Sequence, residues 1–329
     1  KLSDAGHDVT IVDLRPSPYL RPDQKMVTGS LLDEDLVNTV VSGADAVFDF
    51  AGLADIGESN QKPVETARIN VLGNVILLEA CRKAVPGVEW KSLHEEVQHI
   101  RQIKDEDELS RIAEACRITS EAFERLLPEI KEGVTEKELA LKLEFDMLTH
   151  GATGLAFSTI VAAGANGSLP HAVPGDYKVR LGDMITFDFG AKYKGYCADM
   201  TRTVALGQPS DEMRKVYQTV LTAQQTARDA VMAGKCCKDI DAIARDYIYS
   251  HGYEGRFGHG LGHSVGIDIH EEPRLSMTCS AILEENQIMT VEPGIYLPGV
   301  GGVRIEDSVI VKKDGCIPLT SPTRELIIL

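Results

Sequence analysis

Two kinds of hydrophobic pattern divide the chain. Up to about residue 83, short apolar runs alternate with helix-like stretches: residues 8–14 (DVTIVDL) and 44–50 (ADAVFDF) read as buried strands, and residues 64–82 as a helix. Strands alternating with helices imply a parallel α/β layer. After Val85, Pro86 and Gly87 the pattern turns helical. Residues 105–127 carry Leu109, Ile112, Cys116, Phe123 and Leu127, mostly three or four apart. In the next helix Thr135 and Glu138 make a capping box. Leu139, Leu143, Phe145 and Met147 are expected to fill its apolar side, and Gly151 to end it in the left-handed conformation. Gly133, His150 and Gly151 recur 101 residues later as Gly234, His251 and Gly252, around a helix expected over residues 239–249. Each copy leads into a hairpin with two carboxylates, so the second part reads as a duplicated architecture. The pattern predicts two segments, 1–85 and 86–329.

Length and composition bound the function. A chain of 329 residues, 43% hydrophobic, is large enough for one big core or two ordinary ones. With 34 basic and 50 acidic side chains its formal charge is −16, which disfavours a nucleic-acid or anionic-membrane surface, because either needs a positive field. The longest apolar stretches, such as residues 71–80, fall far short of the roughly 20 residues of a membrane helix, and no signal peptide opens the chain. A soluble, cytoplasmic protein is expected. Seven irregularly spaced cysteines fit a reduced compartment, and the adjacent Cys236 and Cys237 lack the C-x-x-C spacing of a zinc or redox motif.

The acidic residues carry the chemistry. In the hairpin of residues 184–206, Asp188 and Asp199 are equidistant from a turn centred between Tyr193 and Lys194. That register sets them directly opposite, with Cβ atoms about 5 Å apart. Met184, Ile185, Phe187 and Phe189 around them are typical of a buried sheet, and buried facing carboxylates need a proton or a cation. Glu292 and Glu306, fourteen residues apart, would face each other across a loop centred at Gly299. One proton relieves two carboxylates but not four; two divalent ions carry +4. Between the hairpins, His259, His263 and His270 fall within twelve glycine-spaced positions. His263 is the favoured imidazole ligand and His259 the competing choice, which periodicity does not exclude. His270, seven residues past His263, would point to the opposite face of an unbroken strand, so a bend near Gly266 is required for both to share a cleft.

The set Asp188, Asp199, His263, Glu292 and Glu306, with its flanking motifs, resembles the metal-binding pattern of the creatinase/aminopeptidase or "pita-bread" metallopeptidases. The likeness covers residues 90–329 and is greatest to the Xaa-Pro peptidases, prolidase and aminopeptidase P. It implies an α+β pita-bread catalytic domain with a pseudo-twofold duplication, in which Asp199 and Glu306 bridge two metal ions, Asp188 holds one, and His263 and Glu292 hold the other. An oxygen-dominated donor set favours Mn²⁺ or Co²⁺ and admits Zn²⁺ or Fe²⁺. The expected reaction is attack of a metal-bridging hydroxide on the peptide carbonyl of a substrate with proline at its second position, with Glu292 shuttling the proton. His171 and His270 match family positions that hydrogen-bond the substrate, His259 resembles a further cleft histidine, and Arg304 is expected to orient Glu306 or simply to pair with the acid cluster. A methionine aminopeptidase-like activity and a non-catalytic binding module of the same fold are the alternatives, and a homodimer is the candidate assembly.

Residues 1–83 resemble the nucleotide-sugar epimerase/dehydratase branch of the short-chain dehydrogenases. Asp13 stands where that family's second strand ends in a ribose-binding acid, and residues 68–73 (RINVLG) look like its mid-domain helix. The first strand and the glycine-rich phosphate turn would lie before Lys1, Ser30 stands where an acid is expected, and no Tyr-x-x-x-Lys pair follows. The resemblance implies a partial Rossmann-like α/β segment, with NAD binding and epimerase activity not expected.

Overall fold

The computed structural model describes residues 2–52, 61–91 and 94–329, with the backbone alone for residues 94 and 95. The chain forms two compact units, Lys1–Ser92 and Leu93–Leu329.

In the first unit the strands Val9–Asp13 and Gln24–Thr28 pair in parallel, Val9 opposite Gln24 and Asp13 opposite Thr28. Helix Glu34–Val41, capped by Asp33 accepting from the Leu36 amide, and helix Asn74–Ala84 share a small core of Val37, Val41, Leu77, Ala80 and Cys81. The strand expected over residues 44–50 is not formed. It finds no partner strand among the described residues, an unpaired strand leaves its amides and carbonyls unsatisfied, and Phe50 stands 79% exposed. The expected helix over residues 64–82 is present as Pro63–Ala67, a π-helical stretch Arg68–Gly73 and Asn74–Ala84. Asp13 closes its own turn, its Oδ1 accepting from the Arg15 amide at 3.0 Å.

The second unit repeats one plan twice. Helices Glu106–Leu126 and Glu136–Thr149 are followed by strands Ile160–Ala163, Met184–Phe189 and Met200–Ala205, hydrogen-bonded in that order. Helices Asp211–Asp229 and Cys237–Ser250 are followed by Gly262–Ser264, Ile288–Val291 and Asp307–Lys312, also neighbours in that order. Gly133 and Gly234 both take positive φ, 88° and 86°, ahead of the second helix of their half. His150 and His251 close those helices alike, each Nδ1–H donating to the carbonyl four residues back, Asp146 and Tyr247. The core is three apolar clusters, among them one where the first helix pair meets its strands (Phe123, Leu139, Leu143, Phe187) and one where the second pair does (Val216, Val220, Ile240, Val309). Leu139, Leu143 and Met147 are buried as expected, but Phe145 is 70% exposed, because a residue two positions from Leu143 in a helix faces away from it. No helix among the described residues is long and apolar enough to cross a membrane, and the seven cysteines are free thiols.

Candidate metal centre

The first hairpin closes through a two-residue turn at Lys194 and Gly195, whose φ values of 46° and 90° are those of the tight turns that suit antiparallel strands. This centre lies one residue beyond the expected one, so the register shifts by two: Asp188 pairs with Thr201, and Asp199 falls opposite Gly190. The acids are therefore diagonal neighbours on one face rather than directly opposed. Gly190 has no alternative there, since a Cβ would lie 1.8 Å from the Ala198 carbonyl oxygen. In the second hairpin the pairs Val291–Asp307 and Gly294–Arg304 share a register centred on Gly299. Glu292 and Glu306 sit where the two ladders part. Their amides turn to other strands, Glu292 to the Leu261 carbonyl at 2.8 Å and Glu306 to the Thr201 carbonyl at 3.1 Å.

The two hairpins bring the acids together. Asp188, Asp199 and Glu306 each offer a carboxylate oxygen within 4.8 Å of the others. His263 Nε2 lies 3.6 Å from Asp199 Oδ2 and 3.3 Å from Glu292 Oε1. Its Nδ1–H donates to the Ser264 carbonyl at 3.0 Å, which aims Nε2 at the acids; there it holds a proton toward Glu292 in the metal-free protein and offers a lone pair once that proton is displaced. His259 is placed differently. Its Nε2 accepts from the Tyr296 hydroxyl at 2.8 Å and its Nδ1–H donates to the Gly260 carbonyl, so its ring has no free nitrogen for the cluster. The strand carrying His263 ends at Ser264, and the chain folds back so that the His270 ring meets the His263 ring edge-on with centroids 4.5 Å apart. His171 is exposed on the loop after Gly164–Ser168.

Arg304 does not touch Glu306. Its Nη2 donates to Asp188 Oδ2 at 2.6 Å, its Nη1 to Tyr296 Oη at 2.8 Å and its Nε to Thr201 Oγ1 at 3.2 Å; Thr201 in turn donates to Glu306 Oε2 at 2.6 Å. Arg304, on a strand outside the sheet that carries Asp188, reaches that acid with its long side chain, and the short Thr201 hydroxyl serves Glu306. Thr201, Thr290 and Asp307 were not singled out by the motif reading. Thr290 Oγ1 accepts from the His263 amide at 2.9 Å and donates to Glu292 Oε1 at 3.2 Å. Asp307 is fully buried and takes hydrogen bonds from Arg202, Gln224, Thr320 and Arg324, joining the third strands of the two halves beside Glu306. Thr201 and Arg304 each lie two residues from a site acid, and the period of a strand places such pairs on one face.

The electrostatics are those of a site built around positive charge. Burial, then the charges of Glu306, Asp188 and Glu292, hold the Asp199 carboxyl well above its ordinary value, and burial with the charges of Glu292 and Asp188 does the same to Glu306. Burial raises Asp188 too, against the opposing pull of Arg304. At Glu292 burial also pushes upward, but the His263 hydrogen bond and the charges of His263, His259 and Arg304 outweigh it and bring the carboxyl down. His270 is held below the usual imidazole value by burial and by the facing His263 and Arg274. Asp188 Oδ1 and Glu306 Oε1 are buried without any hydrogen-bond partner. Two partnerless carboxylate oxygens beside an imidazole nitrogen aimed at the same acids are what a divalent cation would satisfy, so the donor set fits such ions.

Comparison with known proteins agrees with this construction. The model of the family described as metallopeptidase family M24 matches residues 110–313, and that of the NAD-dependent epimerase/dehydratase family matches residues 1–94. The uncharacterized peptidase YqhT of Bacillus subtilis is 46% identical over 245 residues, 74% of this chain and 69% of that protein. A Xaa-Pro dipeptidase of Pyrococcus furiosus is 40% identical over 266 residues, 81% of this chain and 76% of that protein. Among solved structures, an X-Pro aminopeptidase from Thermotoga maritima superposes with a TM-score of 0.77 at 35% identity, covering 97% of this chain and 87% of that one. The fold is the pita-bread fold of prolidases and aminopeptidases P, and the chain belongs to metallopeptidase family M24.

Proposed function

We propose that the Leu93–Leu329 unit removes an N-terminal residue from dipeptides or peptides whose second residue is proline, in a reaction that depends on two divalent metal ions. The observation that carries this reading is the convergence of Asp188, Asp199, Glu306, Glu292 and His263 around two partnerless carboxylate oxygens, in a chain of this family. In the proposal these five side chains would hold the ions, and Mn²⁺ or Co²⁺ would be preferred by the oxygen-rich donors. Bound there, the ions supply acidification of water and polarisation of the substrate carbonyl.

The remaining work falls to the protein. Arg304 fixes the Asp188 carboxylate and, through Thr201, the carboxylate of Glu306. The proton lost by the attacking water is taken at a Glu292 carboxylate oxygen and passed to the proline nitrogen as the C–N bond breaks, since an amide nitrogen must be protonated to leave. The charge of Arg304 favours the ionised, proton-accepting form of Glu292. His270, packed against His263, and His171 bind the substrate and steady the tetrahedral intermediate in this proposal, and His259 with Tyr296 braces the far end of Arg304. The homodimer is kept within the proposal, and the cytoplasm is the proposed compartment. The test is release of proline from Ala-Pro and of the first residue from Ala-Pro-Ala by metal-loaded protein. Cleavage of Met-Ala without cleavage of either proline peptide would turn the reading toward methionine aminopeptidase.

A further inference from the structure

The loop that carries His263 and His270 is held from below by residues far away in sequence. Lys104, in the short connection between helix His94–Gln102 and helix Glu106–Leu126, is 2% exposed, and its Nζ donates to Ser264 Oγ and to Glu271 Oε2, each at 3.1 Å. The Lys104 amide is itself pinned to the Asn286 carbonyl at 3.1 Å. Arg101 Nη2 reaches Glu271 Oε1 at 2.5 Å and Asp268 Oδ2 at 2.6 Å. Glu271 also accepts from the Asp268 amide at 3.2 Å, and Lys104 links the same carboxylate to Ser264, at the start of the reversal between the two histidines. Gly266 gives it room, because a Cβ there would lie 2.5 Å from Glu271 Oε2.

Each of these anchors is one residue from a cleft histidine. Ser264 follows His263 and supplies the carbonyl that fixes its ring; Glu271 follows His270. We infer that Lys104 and Arg101 are positioning residues that set the His263 and His270 rings through Ser264 and Glu271. The buried pair is a poor device for stability alone, since two apolar side chains of similar volume would fill the space at no loss, whereas an ammonium with directed hydrogen bonds to two backbone-defining residues fixes where the loop lies. Groups that orient the residues of a metal site in this way typically cost ten- to a hundredfold when removed.

The inference rests on the functional reading for its kinetic arm but not for its spectroscopic one. In Lys104→Met, proline release from Ala-Pro is expected to fall at least about tenfold. In metal-free protein the imidazole NMR signals of His263 and His270 should move, while those of the remote His150 and His251 stay. The double variant Lys104→Met/Glu271→Leu removes both charges; its melting midpoint should return toward wild type while rate and imidazole signals do not. Should Lys104→Met fail to fold, Glu271→Gln, which keeps the shape, is expected to move the same two signals. Wild-type imidazole signals in Lys104→Met, or recovery of the rate together with the midpoint in the double variant, would overturn the inference. Absence of proline release by the wild-type protein would defeat the functional reading alone, since the imidazole signals still decide this one.

Discussion

The two halves of the Leu93–Leu329 unit build one frame and furnish it differently. Each contributes a helix pair, three strands in the same order and two acids at matching places: Asp188 and Glu292 at the end of the second strand, Asp199 and Glu306 just before the third. The first half provides aspartates from a tight, continuous hairpin. The second provides glutamates from a hairpin whose ladder parts at the site, together with His263 and Arg304. Duplication thus accounts for a symmetric set of charges, and the asymmetric additions account for chemistry. The imidazole and the guanidinium sit in one half only and reach across to the acids of the other.

The largest test of that symmetry is removal of the paired acids. Asp199→Ala and Glu306→Ala are expected to abolish proline release, by at least about a thousandfold, and to lower bound metal equally, because each occupies the same place in its half. Bound metal measured by mass spectrometry that fell in one variant only would break the equivalence. The asymmetric side predicts a division of labour instead. His263→Ala should lose metal, and His270→Ala should keep it while slowing turnover by about 10²-fold. Equal metal loss in both would show that the two histidines share one role.

A third expectation concerns stability. The unfolded chain releases the protons of Asp199 and Glu306 near 3.8 and 4.5, whereas the folded, metal-free protein keeps them to higher pH. The folded state then binds more protons, so the stability these groups contribute is full below about pH 4 and is lost as pH rises through their raised values. His263, also raised, acts with the same sign, while Glu292 acts oppositely and only in the acid range below 4.5. Urea midpoints of metal-free protein should fall between pH 5 and pH 8. Mn²⁺ should restore stability, by about 2.7 kcal/mol at a hundredfold excess over its Kd. A metal-free midpoint that rises over the same interval would contradict the assignment.

The smallest effect lies at a helix start. Thr135 caps its helix, accepting from the Glu138 amide at 3.1 Å, whereas its counterpart Cys236 makes no side-chain cap. Thr135→Ala should therefore cost about 1 kcal/mol, seen as roughly 2–4 °C in the melting midpoint, and Cys236→Ala almost nothing.

Much of this was legible in local pattern. The capping box at Thr135 and Glu138, the parity of Glu292 and Glu306 about Gly299, and the acids' burial among Met184, Ile185, Phe187 and Phe189 follow from short-range rules. The Asp188–Asp199 register missed by two because a two-residue turn at Lys194 and Gly195 moves the hairpin centre by one residue. For Arg304 the pattern leaves two readings, orienting Glu306 or pairing with the acid cluster, and the structure has the second, with Asp188 as the partner, a choice between sheets that sequence spacing does not encode. The return of His270 to His263 was foreseen as a need, but its cause, the buried Lys104–Glu271 pair, joins residues 167 apart and leaves no local trace. In the first unit the apolar run of residues 44–50 outweighed the more polar Gln24–Thr28, although a strand forms only where a partner lies beside it.

The central claim is that these carboxylates and His263 assemble a two-ion site for Xaa-Pro hydrolysis. It is tested most directly by titrating metal-free protein with Mn²⁺ and following proline release from Ala-Pro. The account predicts no release without metal, a rise that completes near two equivalents, and loss on chelation. Two equivalents bound with no proline released, or release undiminished in chelator, would contradict it.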